Sequence, residues 1–304
     1  MEQDASILQA TSQKWLEDAN TSKLADIPAV AYHYTDAAGL WGMLRSGKIW
    51  ATGARFLNDK EEMRLLVKSS REFLRRRSRD GRSKATGAFY EKLLDSLEST
   101  THFSLFIFSL SSEKDDLSQW RAYAKDGEGF TIGFVGRQIY DLAQQRPADF
   151  SFSQVEYDPD RQLSSIEAAL QDMEAALAAA VRETPAEEAR LCEEASYYMD
   201  YLIKARAAVA KHRSFSAEKE WRILFGVAEG DEGAEIKTRV SGRRLVPYVE
   251  IDLAAKCGGK LPIRTIGIGP GFSGSDDFEA VRLLCRSAGY DIDIYYADTP
   301  YRRI

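Results

Sequence analysis

Alternating apolar and polar positions predict short strands interrupted by runs of helix. Residues 29–34 read as a strand, and Leu40, Trp41 and Leu44 then recur at helical spacing. Thr35 or Asp36 stands where an N-cap belongs, and Gly47 where a left-handed C-terminal residue belongs. Residues 49–52 make a second strand. Residues 103–110 are apolar at nearly every position, as in a central strand covered on both faces. The turn Asp126-Gly127-Glu128-Gly129 leads into a strand over 130–135. Further strands fall at 154–157, 221–227, 245–251, 263–268 and 291–296. Helical spacing covers 60–79, 89–98 and 275–288. It also covers the Ala- and Glu-rich stretch 162–212, which Thr184-Pro185 divides in two. The pattern predicts an α+β chain: a helix and linker over 1–27, then one domain over 28–304 with a helical insertion at about 162–212.

Composition narrows the class. The 304 residues are 44% hydrophobic and 29% charged, enough to bury a sizeable core and unlike disordered, collagenous or disulfide-built chains. Three cysteines and three histidines show no metal-ligand spacing, which predicts reduced thiols, a cytoplasmic location and no metal site. No apolar run approaches membrane-spanning length, and the polar, acidic start MEQDASILQATSQKW is unlike a secretory signal. The net charge of −6 argues against passive coating of DNA or anionic membrane. Residues 60–84 run against that balance, with ten basic and four acidic residues. Arg71 to Arg82 is either a solvated helix face or a phosphate-contacting patch for nucleic acid.

Four segments carry candidate chemistry. His33 and Thr35 lie two apart on a strand and so share a face, with Tyr34 between them and a helix N-terminus beside them. Both can hydrogen-bond, which suits a ribose and a phosphate. In Glu218-Lys219-Glu220-Trp221-Arg222, alternation puts Glu218, Glu220 and Arg222 on one face and Trp221 on the core side. A carboxylate kept ionised beside an arginine is what cleavage of a glycosidic bond requires, because the transition state is oxocarbenium-like. Phe56-Leu57-Asn58-Asp59 offers a helix N-cap at Asn58 or Asp59, and Asn58 is within reach of a ligand bound there. Trp120 and Tyr123 lie three apart on a short helix, where they can stack on a base or pack in the core, while Arg121 can clamp a diphosphate. Gly269-Pro270-Gly271-Phe272-Ser273-Gly274 matches GxGxxG, but too little chain follows for a dinucleotide-binding sheet, and the run reads as an ordinary glycine-rich turn.

Taken in order, Tyr32-His33-Tyr34-Thr35, Phe56-Leu57-Asn58-Asp59, Phe108-Ser109-Leu110-Ser111, Ser118-Gln119-Trp120-Arg121-Ala122-Tyr123, Gly129 to Phe134, Glu218 to Arg222 and Ile266-Gly267-Ile268-Gly269-Pro270 form a series. Over roughly 30–300 it resembles a widespread bacterial family classed as a domain of unknown function. The pattern also looks like the superfamily of ADP-ribosyltransferases and RNA 2′-phosphotransferases. That resemblance implies a split mixed β-sheet core. It also implies a first-strand histidine that holds the adenosine ribose of NAD, an aromatic that stacks on nicotinamide, and a late-strand glutamate that steadies the oxocarbenium ion. Here His33 and Thr35 would take the ribose, Glu220 would be the catalytic carboxylate, and Glu218 would deprotonate the acceptor. Tyr123, Trp120 or Phe56 would stack, and Arg121 or Arg222 would face the pyrophosphate.

The expected activity is therefore NAD-dependent ADP-ribosyl transfer to a macromolecular target, protein or nucleic acid, of the kind used by toxins and phage-defence effectors. NAD is expected as substrate. The alternative is a non-catalytic nucleotide- or protein-binding module of a bacterial defence or regulatory system. In that case the 162–212 helices would receive a partner or a second copy of the chain.

Overall fold

The computed structural model describes residues 6–20, 24–57, 62–78, 84–98, 103–145, 150–228, 235–241, 243–272 and 274–301. In chain order the elements are α1 (Ile7–Asn20), β1 (Val30–Thr35), α2 (Ala37–Ser46), β2 (Lys48–Gly53), α3 (Glu62–Ser78), α4 (Lys84–Glu98) and β3 (Phe103–Ser111). Next come α5 (Leu117–Tyr123), β4 (Phe130–Val135), α6 (Gly136–Gln145), β5 (Phe150–Gln154), α7 (Pro159–Glu183), α8 (Glu188–Ala207) and β6 (Glu220–Ala228). The chain closes with β7 (Lys237–Ser241), β8 (Arg244–Asp252), α9 (Leu253–Lys256), β9 (Ile263–Ile268), α10 (Ser275–Ser287) and β10 (Asp293–Tyr296). The protein is mixed α+β.

All ten strands join one mixed sheet, ordered β10-β9-β4-β1-β3-β2-β8-β7, with β6 also paired to β3 and β5 paired to β6. Among the described residues only β9 and β10 pair as parallel strands. β3 is the hub. It pairs with β6 along its whole length, with β2 at Ile107 and Phe106, and with β1 at the single position Tyr32↔Ser111. β1 by contrast pairs with β4 from end to end. The sheet therefore splits between β1 and β3, and two half-sheets diverge from that point.

Local signals set these elements. Asp36 accepts the Gly39 N–H at 2.9 Å and caps α2. Gly47 ends that helix at φ 68°, where a Cβ would meet the Ala254 Cβ at 2.5 Å, so a side chain is excluded by both conformation and space. Apolar residues of β3, β4, β6, β8 and β9 bury against α2, α6 and α10 to form the main core.

A second core belongs to the helices. Leu8, Leu66, Leu74, Phe89, Leu93, Leu170, Met173, Met199 and Ile203 are buried together. The helices over 159–207 thus do not stand as an insertion by themselves. They pack with α1, α3 and α4, so the bundle gathers three separate stretches of chain. The apolar faces of α7 and α8 turn inward to these partners.

Other elements differ from the sequence pattern, which marks neither α6 nor α9. The strand expected at 154–157 lies earlier, at Phe150–Gln154, because its alternation of Phe and Ser matches β6; Glu156 makes only an isolated bridge to Ala210. β7 is an extra edge strand. Its polar, mostly exposed sequence carries no apolar alternation. The glycine-rich run after β9 serves packing: the N–H groups of Gly269 and Gly271 donate to the carbonyls of Gly129 and Gly127 at 2.9 and 3.0 Å. A Cβ on Gly269 would lie 2.2 Å from the Gly127 oxygen. Those N–H groups are thus used in joining two turns.

Leu74 is 0% exposed at the centre of the helical core. Its replacement by alanine should lower unfolding free energy by about 2–5 kcal/mol in urea titrations. A loss well under about 1 kcal/mol would contradict the packing described.

Candidate functional site

The split in the sheet opens a cavity of about 360 Å³. Its lining comes from β1 (Tyr32, His33, Tyr34), β3 (Ser109, Leu110), α5 (Gln119, Tyr123), the turn after β2 (Leu57), the α8–β6 connection (Lys211, Phe215, Glu218) and β6 (Glu220, Arg222). That size is at the small end of ligand pockets, about 300–1,000 Å³.

β1 supplies the imidazole. His33 Nδ1 lies 2.9 Å from the carbonyl oxygen of Ser109, and the ring stacks on Phe108 at 4.1 Å. A carbonyl only accepts, so Nδ1 carries the ring proton and Nε2 is left as an acceptor. Burial pushes this histidine down to about 4, with the charge of Arg239 acting in the same direction and the Ser109 carbonyl against it. It is neutral at physiological pH. Next along β1, the Tyr34 hydroxyl donates to the Glu113 carbonyl and accepts the Asp116 N–H, at 2.9 and 3.0 Å. Asp116 in turn caps α5. Tyr34 therefore fixes the helix that brings Gln119 and Tyr123 to the cavity.

β6 supplies the charges. Trp221 and Ile223 bury in the main core, so Glu220 and Arg222 take the opposite face. Arg222 grips Glu220 with two parallel hydrogen bonds, Nε to Oε1 at 2.8 Å and Nη2 to Oε2 at 2.9 Å. Its Nη1 donates to the Ala208 carbonyl just past α8 at 2.7 Å. Lys211 Nζ donates to Glu218 at 2.6 Å and to Glu220 at 3.1 Å, and lies 4.8 Å from the centre of the Phe215 ring. Lys211, Glu220 and Arg222 are all buried. Two cations face two carboxylates, so the cluster balances. Burial pushes the Glu220 carboxyl up, but Arg222, Lys211 and a hydrogen bond with the Ser109 side chain outweigh it and hold the group below its ordinary value. Glu220 is ionised. Ser109, whose carbonyl is bound to His33, pairs across the strands with Arg222.

Of the residues singled out in the sequence, His33, Tyr34, Tyr123, Glu218, Glu220 and Arg222 meet in this cavity. Thr35 ends β1 and is not among the lining residues. Trp120 is 0% exposed: its Nε1–H donates to Asp115 at 2.6 Å, and its ring meets Tyr34 edge-on at 4.9 Å. The core takes one aromatic of α5 and the cavity the other. Arg121 points outward, 3.6 Å from Asp126 and 5.9 Å from the centre of the Tyr301 ring. Phe56 is exposed and away from the lining. Asn58 lies outside the described residues. In the Arg71–Arg82 stretch, Arg71 and Arg75 pair with Glu98, and Arg77 pairs with Glu174; Arg79 and Arg82 lie outside the described residues. Sequence reasoning missed Lys211 and Phe215. Lys211 lies just before, and Phe215 within, a short 3-10 helix over Arg213–Glu218, and only their nearness to Glu218 in sequence could have drawn attention to them.

A family profile described as "Protein of unknown function (DUF2971)" matches residues 119–223, about a third of the chain. The match runs from α5 through Arg222 and takes in the charged cluster, while His33 falls outside it. Comparison with curated proteins and with solved structures returns no match to this chain. Among the described residues no group of His, Cys, Asp and Glu is arranged to hold a metal ion, and no helix is long and apolar enough to cross a membrane.

The depressed His33 value has a defined sign in stability. Between its ordinary 6.5 and about 4 the unfolded chain binds a proton that the folded chain refuses, so stability falls as pH drops through that window and levels off below it. The loss should be on the order of 3 kcal/mol. Urea titrations at pH 7.5 and 4.5 measure it. In His33→Gln that portion of the pH dependence should vanish, and an unchanged slope would contradict the assignment.

Proposed function

We propose that this chain is an ADP-ribosyltransferase-like enzyme. It would break the bond between nicotinamide and ribose in NAD and pass ADP-ribose to a macromolecular acceptor. One observation carries the reading: an imidazole from β1 and a carboxylate from β6, far apart in sequence, line one crevice. Neutral His33 offers Nε2 to a ribose hydroxyl. Tyr123 and Phe215 present ring faces to nicotinamide. Glu220, held ionised, opposes the positive charge that grows on C1′ as the C1′–N bond breaks and its electron pair leaves with nicotinamide. The acceptor nucleophile then bonds C1′, and its proton passes to Glu218. Toxin and phage-defence roles fit such chemistry on a cellular target.

A second reading has its own support. Both oxygens of Glu220 are engaged by Arg222 and one also by Lys211, as in a structural ion pair. This favours a nucleotide-binding module without turnover.

Nicotinamide release and labelling of a cell extract with marked NAD separate the two. Glu220→Gln, checked for folding by circular dichroism because it strips a charge from Arg222 and Lys211, should reduce turnover by about 100-fold or more. NAD should still raise its Tm. A wild-type protein that NAD stabilises without turnover is the module. One that neither turns NAD over nor is stabilised by NAD or ADP-ribose defeats both readings.

A further inference from the structure

We infer that Arg239 is an anion-binding residue at the rim of the cleft, and that it receives a phosphoryl group of a nucleotide ligand. The identity of the ligand rests on the reading above; the anion site does not.

Arg239 lies on edge strand β7, opposite Val246 of β8. Its side chain crosses β8 to reach β2, where Nη2 donates to Thr52 Oγ1 at 2.8 Å. The guanidinium carbon is 5.8 Å from the ring centres of both Trp50 and Tyr248, and these two rings pack against each other at 4.8 Å. The head group is thus held by two rings and one hydroxyl; Arg239 is half-buried, and Trp50 beside it is 42% exposed.

What the guanidinium lacks is a counter-ion. Among the described residues no carboxylate lies within ion-pair distance of it, and its Nε is buried with no hydrogen-bond partner. The neighbouring carboxylate on the same face, Glu250, is taken by Lys48 and Lys237 at 3.2 and 3.1 Å. Burial pulls the Arg239 value down, against the weaker pull of Tyr248 and Asp36. A desolvated charge with unmatched donors is unfavourable unless an anion completes it, and the planar fork of arginine matches phosphate oxygens.

Position ties this group to the cleft. Thr52 stands near the end of β2, whose continuation brings Leu57 to the cavity wall. The charge of Arg239 is also felt at His33. The arginines that the sequence offered for a diphosphate are otherwise committed, Arg222 to Glu220 and Ala208, and Arg121 beside Asp126. A cavity of about 360 Å³ is small for a dinucleotide, so its phosphates must sit at the rim.

Calorimetric titration with inorganic pyrophosphate, ADP-ribose, NAD and nicotinamide tests this on the full chain. Arg239→Met keeps the apolar stem between the rings and removes the fork. It should weaken pyrophosphate and ADP-ribose by roughly 10- to 100-fold, the loss of charge-assisted hydrogen bonds, and leave nicotinamide unchanged. Arg239→Lys, which keeps the charge and tests the site should the first variant misfold, should recover part of the loss. Pyrophosphate binding that depends on Arg239 without any binding of NAD upholds the anion site and defeats the NAD reading. Equal affinity in wild type and both variants, or no binding of pyrophosphate and ADP-ribose by the wild type, overturns the proposal.

Discussion

A buried carboxylate has to be neutralised before anything else near it can settle, and Glu220 imposes that condition on the whole cleft. Leaving one member of such a pair alone in the interior costs about 3–5 kcal/mol. Arg222 meets the demand from the same strand face, and Lys211 adds a second cation from the connection that leaves α8. Because Arg222 also binds the Ala208 carbonyl, the end of the helical bundle is tied to the strand that bears the charge. Ser109, paired with Arg222 on β6, holds His33 through its carbonyl across the place where the sheet divides. Each contact constrains the next, so two separately packed cores meet at one polar joint.

Much of this was legible in the sequence because it depends on period and on short-range chemistry. The alternation through Glu220, Trp221 and Arg222 placed the charges opposite the core, and the structure has Trp221 buried and the charges facing the cavity. The Asp36 and Gly47 caps follow from local backbone needs in the same way. What stayed hidden depends on long-range packing. Nothing in the spacing of Trp120 and Tyr123 says which ring faces Tyr34 and which faces the cavity. Lys211 lies between elements and Phe215 in a single short 3-10 turn over Arg213–Glu218, so no apolar period marked them. The companions of α7 and α8 could not be read either, because an amphipathic helix announces that it has a buried face without saying what covers it.

The GxGxxG run shows the limit of motif reading from the other side. It does sit between a strand and a helix, and β9, α10 and β10 do form a parallel β-α-β unit. Yet Gly269 and Gly271 serve a close approach to the turn at 127–129, with their N–H groups already donated to protein carbonyls. The motif's spacing is compatible with two quite different uses of glycine, and only the partners of the backbone N–H groups separate them.

The composition of the helical bundle bears on how the chain acquires its shape. Its members come from 7–20, 62–98 and 159–207, with strands threaded between them. α3 and α4 pack on each other, but α1 and both of them also bury against α7 and α8, so during synthesis the early helices emerge before the faces that complete their burial. Closing contacts over such long stretches of chain is slow, because the loop entropy must be overcome before the contacts form. The bundle is therefore completed late in the chain, next to the point where Arg222 ties it to the sheet.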